Sequence, residues 1–136
     1  MVNRERRTAG WTVGASRVLL TRPAVMLRAD GAAMFAGGVL VYWLSGGSWG
    51  LFGLLLLAPD VSMLGYLAGR GVGAAVYNVF HSYPLPAVLG GFGLLAGAPL
   101  AVAVALVWFA HIGMDRMLGY GLKYDTGFKD THLGRV

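Results

Sequence analysis

Residues 108 to 135 read WFAHIGMDRMLGYGLKYDTGFKDTHLGR, and the interpretation of the rest of the chain starts from this stretch. It begins in an uncharged apolar run, Pro99 to Ala110, and passes into a polar tail with two lysines, two acids and a histidine. His111 and Asp115 are four residues apart, so they share one face of a helix. An imidazole and a carboxylate at the edge of an apolar helix need partners, and Asp60 and His81 are the best candidates.

The composition is typical of an integral membrane protein. The 136 residues are 57% hydrophobic and 12% charged, whereas soluble domains are about 25% charged. The 22 glycines favour close packing of transmembrane helices, because small residues let backbones approach each other. Cysteine is absent, which excludes disulfides and thiolate metal sites. No nucleic-acid-binding module is present, so no nucleic-acid partner is expected.

The apolar segments predict an all-α bundle of four transmembrane helices within residues 23–121. The predicted helices run from Pro23 to the turn at 45–48, from Trp49 to Arg70, from about Gly71 to Gly97, and from Pro99 to about Gly121. Pro59 falls near the middle of the second helix, where it predicts a kink and a free backbone carbonyl. A basic segment at 1–22 and a basic tail at 122–136 flank the bundle.

The charges predict the orientation of the chain. All eleven lysines and arginines lie near the start of the chain, at Arg70, or from Arg116 onward, and the other two turns have none. Because cytoplasmic loops carry the excess of positive charge, both termini are predicted to be cytoplasmic.

Asp60, His81 and His111 are predicted to lie at a similar depth on three helices, because each is about ten residues from the cytoplasmic end of its helix. Asp115 is one turn nearer the cytoplasm, and Asp30 begins the first helix. A carboxylate inside a bilayer costs at least ~2.5–3.5 kcal/mol, and no lysine or arginine lies near the middle of these helices. A divalent metal would neutralise the acids.

Imidazole and carboxylate together suit zinc, manganese or iron. The predicted metal ligands are Asp60, His81, His111, Asp115 and Asp30, and the predicted catalytic residues are His111 and Asp115. The residues predicted to surround them or to contact a substrate are Tyr66, Tyr77, Asn78, Lys123 and His132. Two other interpretations stay open, namely polar residues that hold helices together by hydrogen bonds and a proton or ion pathway.

Two blocks, PDVSMLGYLAGRGVGAAVYNVFHSYPLP at 59–86 and the stretch at 108–135, closely resemble a small bacterial membrane family known as domain of unknown function 4260. The resemblance covers about residues 24 to 135. It implies that the protein lies in a bacterial plasma membrane, and it implies no particular activity. Members usually have Glu in the segment that matches 27–30, where this chain has the shorter Asp30.

A more distant similarity concerns function. Pro-Asp, His-Ser and His-x-x-x-Asp on successive helices resemble the order in membrane-bound metal-dependent hydrolases, which would map onto Asp60, His81, His111 and Asp115. The first histidine-rich motif of those enzymes is not matched in full. The resulting hypothesis is a metal-dependent hydrolase of a lipid or amphiphile in the bilayer. The alternatives are a proton-relay protein or small-solute transporter, and a structural subunit of a membrane complex. Self-association into a homo-oligomer is compatible with each.

Overall fold

The computed structural model describes residues 22–136, so the predicted basic segment at 1–22 lies almost entirely outside the described residues. The described residues form five α-helices: α1 (Pro23–Leu44), α2 (Trp49–Leu56), α3 (Arg70–Phe80), α4 (Pro84–Leu95) and α5 (Pro99–Leu118). A 3-10 helix, Ala58–Ala68, joins α2 to α3, and a short 3-10 turn, His132–Gly134, lies near the C-terminal end.

The all-α prediction is confirmed, and three of the four predicted spans are long apolar helices. Within the described residues, the stretches Pro23–Leu44, Trp49–Ala68 and Pro99–Leu118 are long and apolar enough to cross a membrane. The second is irregular near Pro59, where α2 ends at Leu56 and the chain continues as a 3-10 helix.

The third predicted span is not one continuous helix, and this corrects the prediction. It consists of α3 and α4, with 11 and 12 residues, separated by residues 81–83. At about 1.5 Å per residue, neither helix alone crosses the ~30 Å hydrocarbon core. Pro84 and Pro86 explain the break, since proline lacks the N–H of a helical hydrogen bond and its ring clashes with the preceding turn.

Helix α5 is the centre of the bundle and packs against α1, α2 and α4. Its closest approach is to α1. A Cβ atom on Gly113 would lie 2.6 Å from the backbone nitrogen of Phe35 and 2.7 Å from the carbonyl oxygen of Gly31. A Cβ on Gly31 would lie 2.8 Å from the carbonyl oxygen of Gly113. The two helix backbones are therefore in direct contact, which only glycine permits at these positions.

This contact fixes the rotation of α5 about its own axis. At about 100° per residue, Gly113 lies about 160° around the helix from both His111 and Asp115. The face that contacts α1 is therefore opposite the face that carries His111 and Asp115. Those two side chains point toward the 3-10 helix and the end of α3.

Candidate metal centre

Asp60, His81, His111 and Asp115 come together in one group, which we call the Asp/His cluster. One ligand atom from each residue lies within 4.8 Å of all the others. Asp60 comes from the first turn of the 3-10 helix, His81 from the residue after α3, and the other two from α5. Both histidines are buried, with 3% of His81 and none of His111 exposed.

The distances within the Asp/His cluster are short and nearly equal. The two Nε2 atoms of His81 and His111 lie 3.0 Å apart. Asp60 Oδ1 is 3.4 Å from His81 Nε2 and 3.6 Å from His111 Nε2. Asp115 Oδ2 is 3.6 Å from each of the same nitrogens. A tetrahedral ion at about 2.0–2.2 Å from each ligand needs ligand separations of about 3.3–3.6 Å. The four nitrogen–oxygen distances lie in this range, and the two nitrogens lie slightly closer together.

Each histidine is oriented by a backbone carbonyl. His81 Nδ1 is 2.9 Å from the carbonyl oxygen of Tyr77, and His111 Nδ1 is 2.6 Å from that of Leu56. A carbonyl oxygen can only accept a hydrogen bond, so both Nδ1 atoms carry the proton. In the neutral rings both Nε2 atoms are then unprotonated, and each points a lone pair into the cluster.

The acceptor for His111 exists because of a proline. In a 3-10 turn the carbonyl of Leu56 would accept from residue 59, but Pro59 has no N–H. The Asp60 N–H donates to the carbonyl of Leu57 instead, at 3.2 Å. Leu56 therefore keeps a free carbonyl inside the bundle, and His111 donates to it.

A second proline has the same effect one helix later. Pro84 cannot donate to the carbonyl of Phe80, four residues earlier. That carbonyl accepts from Trp108 Nε1 at 2.7 Å. Two interruptions in neighbouring segments thus provide acceptors for two side chains of α5, one turn apart along the helix.

Tyr77 contacts two members of the Asp/His cluster. Its hydroxyl donates to Asp115 Oδ2 at 3.2 Å, and its ring stacks on the imidazole of His81 at a centroid distance of 3.7 Å. Its carbonyl also accepts from His81. Metal-bound histidines and carboxylates are commonly held by such outer hydrogen bonds, so Tyr77 occupies a position that orients ligands.

Asn78 attaches the residues after α5 to α3. Its side-chain amide accepts from the backbone N–H of Lys123 at 2.7 Å and donates to the carbonyl of the same residue at 2.8 Å. His132 Nδ1 accepts from the N–H of Leu122 at 2.8 Å. Residues 119–136, here called the C-terminal loop, are therefore folded against the bundle, and Lys123 is buried.

The Lys123 ammonium group lies among aromatic rings. Its Nζ is 3.2 Å from the ring centroid of Phe128, 4.4 Å from that of Tyr77 and 5.6 Å from that of Tyr66. Burial lowers the pKa of Lys123, although Asp115 and Asp60 oppose this by favouring the charged form. The hydroxyl of Tyr66 is buried and has no hydrogen-bond partner among the described residues.

Asp30, the fifth predicted ligand, does not join the Asp/His cluster. It is exposed and lines a groove with Ala33, Met34 and Phe109. The reason is the packing of α1 on α5. Gly31, the next residue, contacts the face of α5 that is opposite His111 and Asp115, so α1 cannot present a ligand to the cluster.

Comparison with known proteins places the chain in a family. The family model described as Domain of unknown function (DUF4260) matches residues 24–136. The chain belongs to this family. No curated protein and no solved structure matches this chain.

The sequence predicts the four residues of the Asp/His cluster and places Tyr77 beside them, but it does not identify the two backbone carbonyls that orient the histidines. The residue types at Leu56 and Tyr77 do not indicate that the backbone carbonyls of these residues accept hydrogen bonds from histidines. Pro59 is the signal for the first, because a proline inside an apolar helix always leaves a carbonyl without its helical donor. Phe128, which covers Lys123, was also missed, since its approach depends on the turns of the C-terminal loop.

Proposed function

We propose that this protein is a membrane metalloenzyme, a metal-dependent hydrolase that acts on a lipid or amphiphile. The observation that supports it is the convergence of four hydrogen-bond acceptors. Two imidazole nitrogens without protons lie 3.0 Å apart, and each lies 3.4–3.6 Å from an oxygen of both carboxylates. Acceptors at such distances repel unless a cation lies between them, and a divalent metal ion supplies that cation.

The residues that would hold the ion are Asp60, His81, His111 and Asp115. Two imidazoles and two carboxylates suit zinc, and also manganese or iron. When bound, an ion of this kind supplies Lewis acidity, which makes water more acidic and polarises a carbonyl or phosphoryl oxygen. The buried histidines keep their proton on Nδ1, and Tyr77 holds the Asp115 carboxylate in place.

The two carboxylates have different access to solvent, which suggests different roles. The side chain of Asp60 is 36% exposed and that of Asp115 is 15% exposed. Both line one cavity, but Asp115 is also tied to Tyr77. We assign Asp115 and the two histidines to permanent metal binding. Asp60, the more exposed of the two carboxylates, would then be the residue that accepts a proton from water, whereas the sequence predicts His111 and Asp115 as the catalytic residues.

One observation favours a second function, a proton relay. The 3.0 Å separation of the two Nε2 atoms is also the length of a hydrogen bond between an imidazolium and an imidazole. A single extra proton would then replace the metal, and Asp60 would exchange it with the cavity. Metal content distinguishes the two functions.

The test is elemental analysis of protein purified in detergent without chelator and then reconstituted with zinc, manganese or iron. We expect about one ion per chain in the wild type, and loss of the ion in His111→Ala and His81→Ala. Metal should also raise the melting temperature of the wild type, because a ligand that binds only the folded state stabilises it. His132→Ala is the matched control, since His132 lies outside the cluster, and it should keep the ion.

Wild-type protein that stays metal-free and shows unchanged melting after reconstitution would rule out the metalloenzyme. The proton relay would then predict pH-dependent proton flux in liposomes, which His111→Ala abolishes.

We further propose that the protein lies in the bacterial plasma membrane with both termini in the cytoplasm. The distribution of lysine and arginine supports this orientation. Single cysteines at Gly46 and Gly134 provide the test in intact cells. An impermeant thiol reagent should label the first and not the second, and external labelling at 134 would overturn the orientation.

Self-association stays a prediction that cross-linking in membranes would check.

A further inference from the structure

A cavity of about 680 Å³ lies beside the Asp/His cluster, between the bundle and the C-terminal loop. Its lining includes both carboxylates of the cluster, Asp60 and Asp115, and two lysines, Lys123 and Lys129. Met63 and Phe128 contribute apolar surface to the same lining. The cavity therefore combines the proposed metal centre, two cations and an apolar wall.

Lys123 is the unusual member of this lining, because it is buried and no carboxylate of the described residues lies close enough to form an ion pair with it. Only 8% of the residue is exposed. Its Nζ forms no ion pair with any carboxylate in the described part of the chain. Aromatic faces stabilise the charge, but they leave the three N–H donors of the ammonium group available.

The backbone of Lys123 is fixed independently of its side chain. Both hydrogen bonds from Asn78 are made to the main chain of Lys123. The side chain is consequently held in position beside the cluster, and attachment of the C-terminal loop does not depend on the ammonium group.

The charges around the cavity favour an anionic ligand. A divalent ion held by the cluster would offset the two carboxylates, and Lys123 and Lys129 would then leave two positive charges on the same cavity. Lys129 is exposed and can exchange its counter-ion with solvent, but Lys123 is not. A buried cation is costly unless it is paired. Its partner is therefore expected to enter the cavity as a ligand.

We infer that this cavity binds a phosphate group, with Lys123 as the buried anchor and Lys129 at the rim. The inference rests on the proposed metal centre and names the substrate class that it would act on. Phosphate has enough oxygen atoms to reach the metal and a lysine together, as in other sites where lysine and a metal ion hold a phosphoryl group. The apolar wall formed by Met63 and Phe128 suits the first carbons of an attached chain.

The experiment uses zinc-loaded protein in a non-ionic detergent and measures binding by calorimetry. Inorganic phosphate and dihexanoyl phosphatidate are the two probes. Lys123→Met keeps an unbranched side chain under the aromatic rings and removes the charge. We expect it to weaken binding of the preferred probe by at least about 10-fold, the usual effect of one charge-assisted hydrogen bond. Arg70→Gln is the control, because it removes one charge from an exposed position outside the cavity, and its binding should match the wild type.

The two probes separate the possible sources of the phosphate. Tighter binding of phosphatidate supports an amphiphilic substrate, and equal binding of both supports a site for free phosphate or its water-soluble esters. Equal affinity of wild type and Lys123→Met, or no binding of either probe to the zinc-loaded wild type, would overturn the phosphate site.

Elemental analysis of the same samples keeps the two proposals apart. Metal-loaded protein that binds phosphate without regard to Lys123 contradicts only the phosphate site. A wild type that cannot be loaded with metal contradicts the proposed function, and the phosphate site with it.

Discussion

The two faces of α5 hold the molecule together in opposite ways. Toward α1, the contact is between regular helix backbones, and Gly31 and Gly113 provide it by having no side chain. Toward the other neighbours, the helices are interrupted, and α5 reaches their free carbonyls with long polar side chains, Trp108 and His111. The first face fixes where α5 lies. The second uses irregular backbone, which is tolerated at membrane depth when a neighbouring group satisfies it, to orient His111 of the Asp/His cluster.

This comparison predicts that a change on the first face affects folding whether or not metal is bound. In Gly113→Ala the new Cβ would lie 2.6 Å from the backbone nitrogen of Phe35, so the helices must separate. We expect a loss of about 1–3 kcal/mol of stability in both metal-loaded and metal-free protein, measured by thermal unfolding in detergent.

Gly37→Ala is the matched control for that prediction. Gly37 is on α1, and a Cβ added there would meet no atom within 4 Å. The substitution should therefore not lower the melting temperature. Equal melting temperatures for the two variants would show that the α1–α5 contact is not the scaffold described above.

A change on the second face should affect metal binding far more than folding. Pro59→Ala restores an N–H that can donate to a helix carbonyl, so the acceptor of His111 is drawn back into the helix. Loss of an outer hydrogen bond to a metal ligand typically weakens affinity by about 10–100-fold. We expect a loss in that range in a competitive chelator titration, with metal-free stability unchanged or raised.

Pro84→Ala provides the comparison for Pro59→Ala. It alters the carbonyl that Trp108 binds, which serves no member of the Asp/His cluster, so metal affinity should stay near the wild-type value. If both proline variants weaken metal binding equally, the effect is a general loosening of the bundle and not the orientation of His111.

The sequence was sufficient to predict the helices and the Asp/His cluster, because apolar runs mark membrane depth and ionisable residues at equal depth on separate helices tend to meet. It was not sufficient to rule out Asp30, since depth says nothing about the rotation of one helix about another. That rotation follows from the Gly31–Gly113 contact, which is a pair of distant positions and not a local pattern. The break at 81–83 follows from Pro84 and Pro86, which outweigh the apolar composition of the third predicted span.

The conformation of the C-terminal loop was the least predictable part. The sequence predicts a basic tail with Lys123 and His132 near the site, but it does not predict that Lys123 is buried. Asn78 holds the loop in this conformation through two hydrogen bonds to the backbone of Lys123, 45 residues further along the chain. This contact depends on the direction of the backbone and cannot be predicted from the composition of either segment.

The order of the ligands along the chain has a consequence for biosynthesis. Asp60 and His81 are synthesised before α5, which carries the other half of the Asp/His cluster. During insertion Asp60 therefore enters the bilayer without the neighbours that later surround it, and an ionised carboxylate there is costly. His111 and Asp115 can reach Asp60 only after α5 has docked, so the Asp/His cluster is complete only once this last helix is in place. If the cluster holds a metal ion, as proposed above, all four residues can bind it only after Asp115 has been translated.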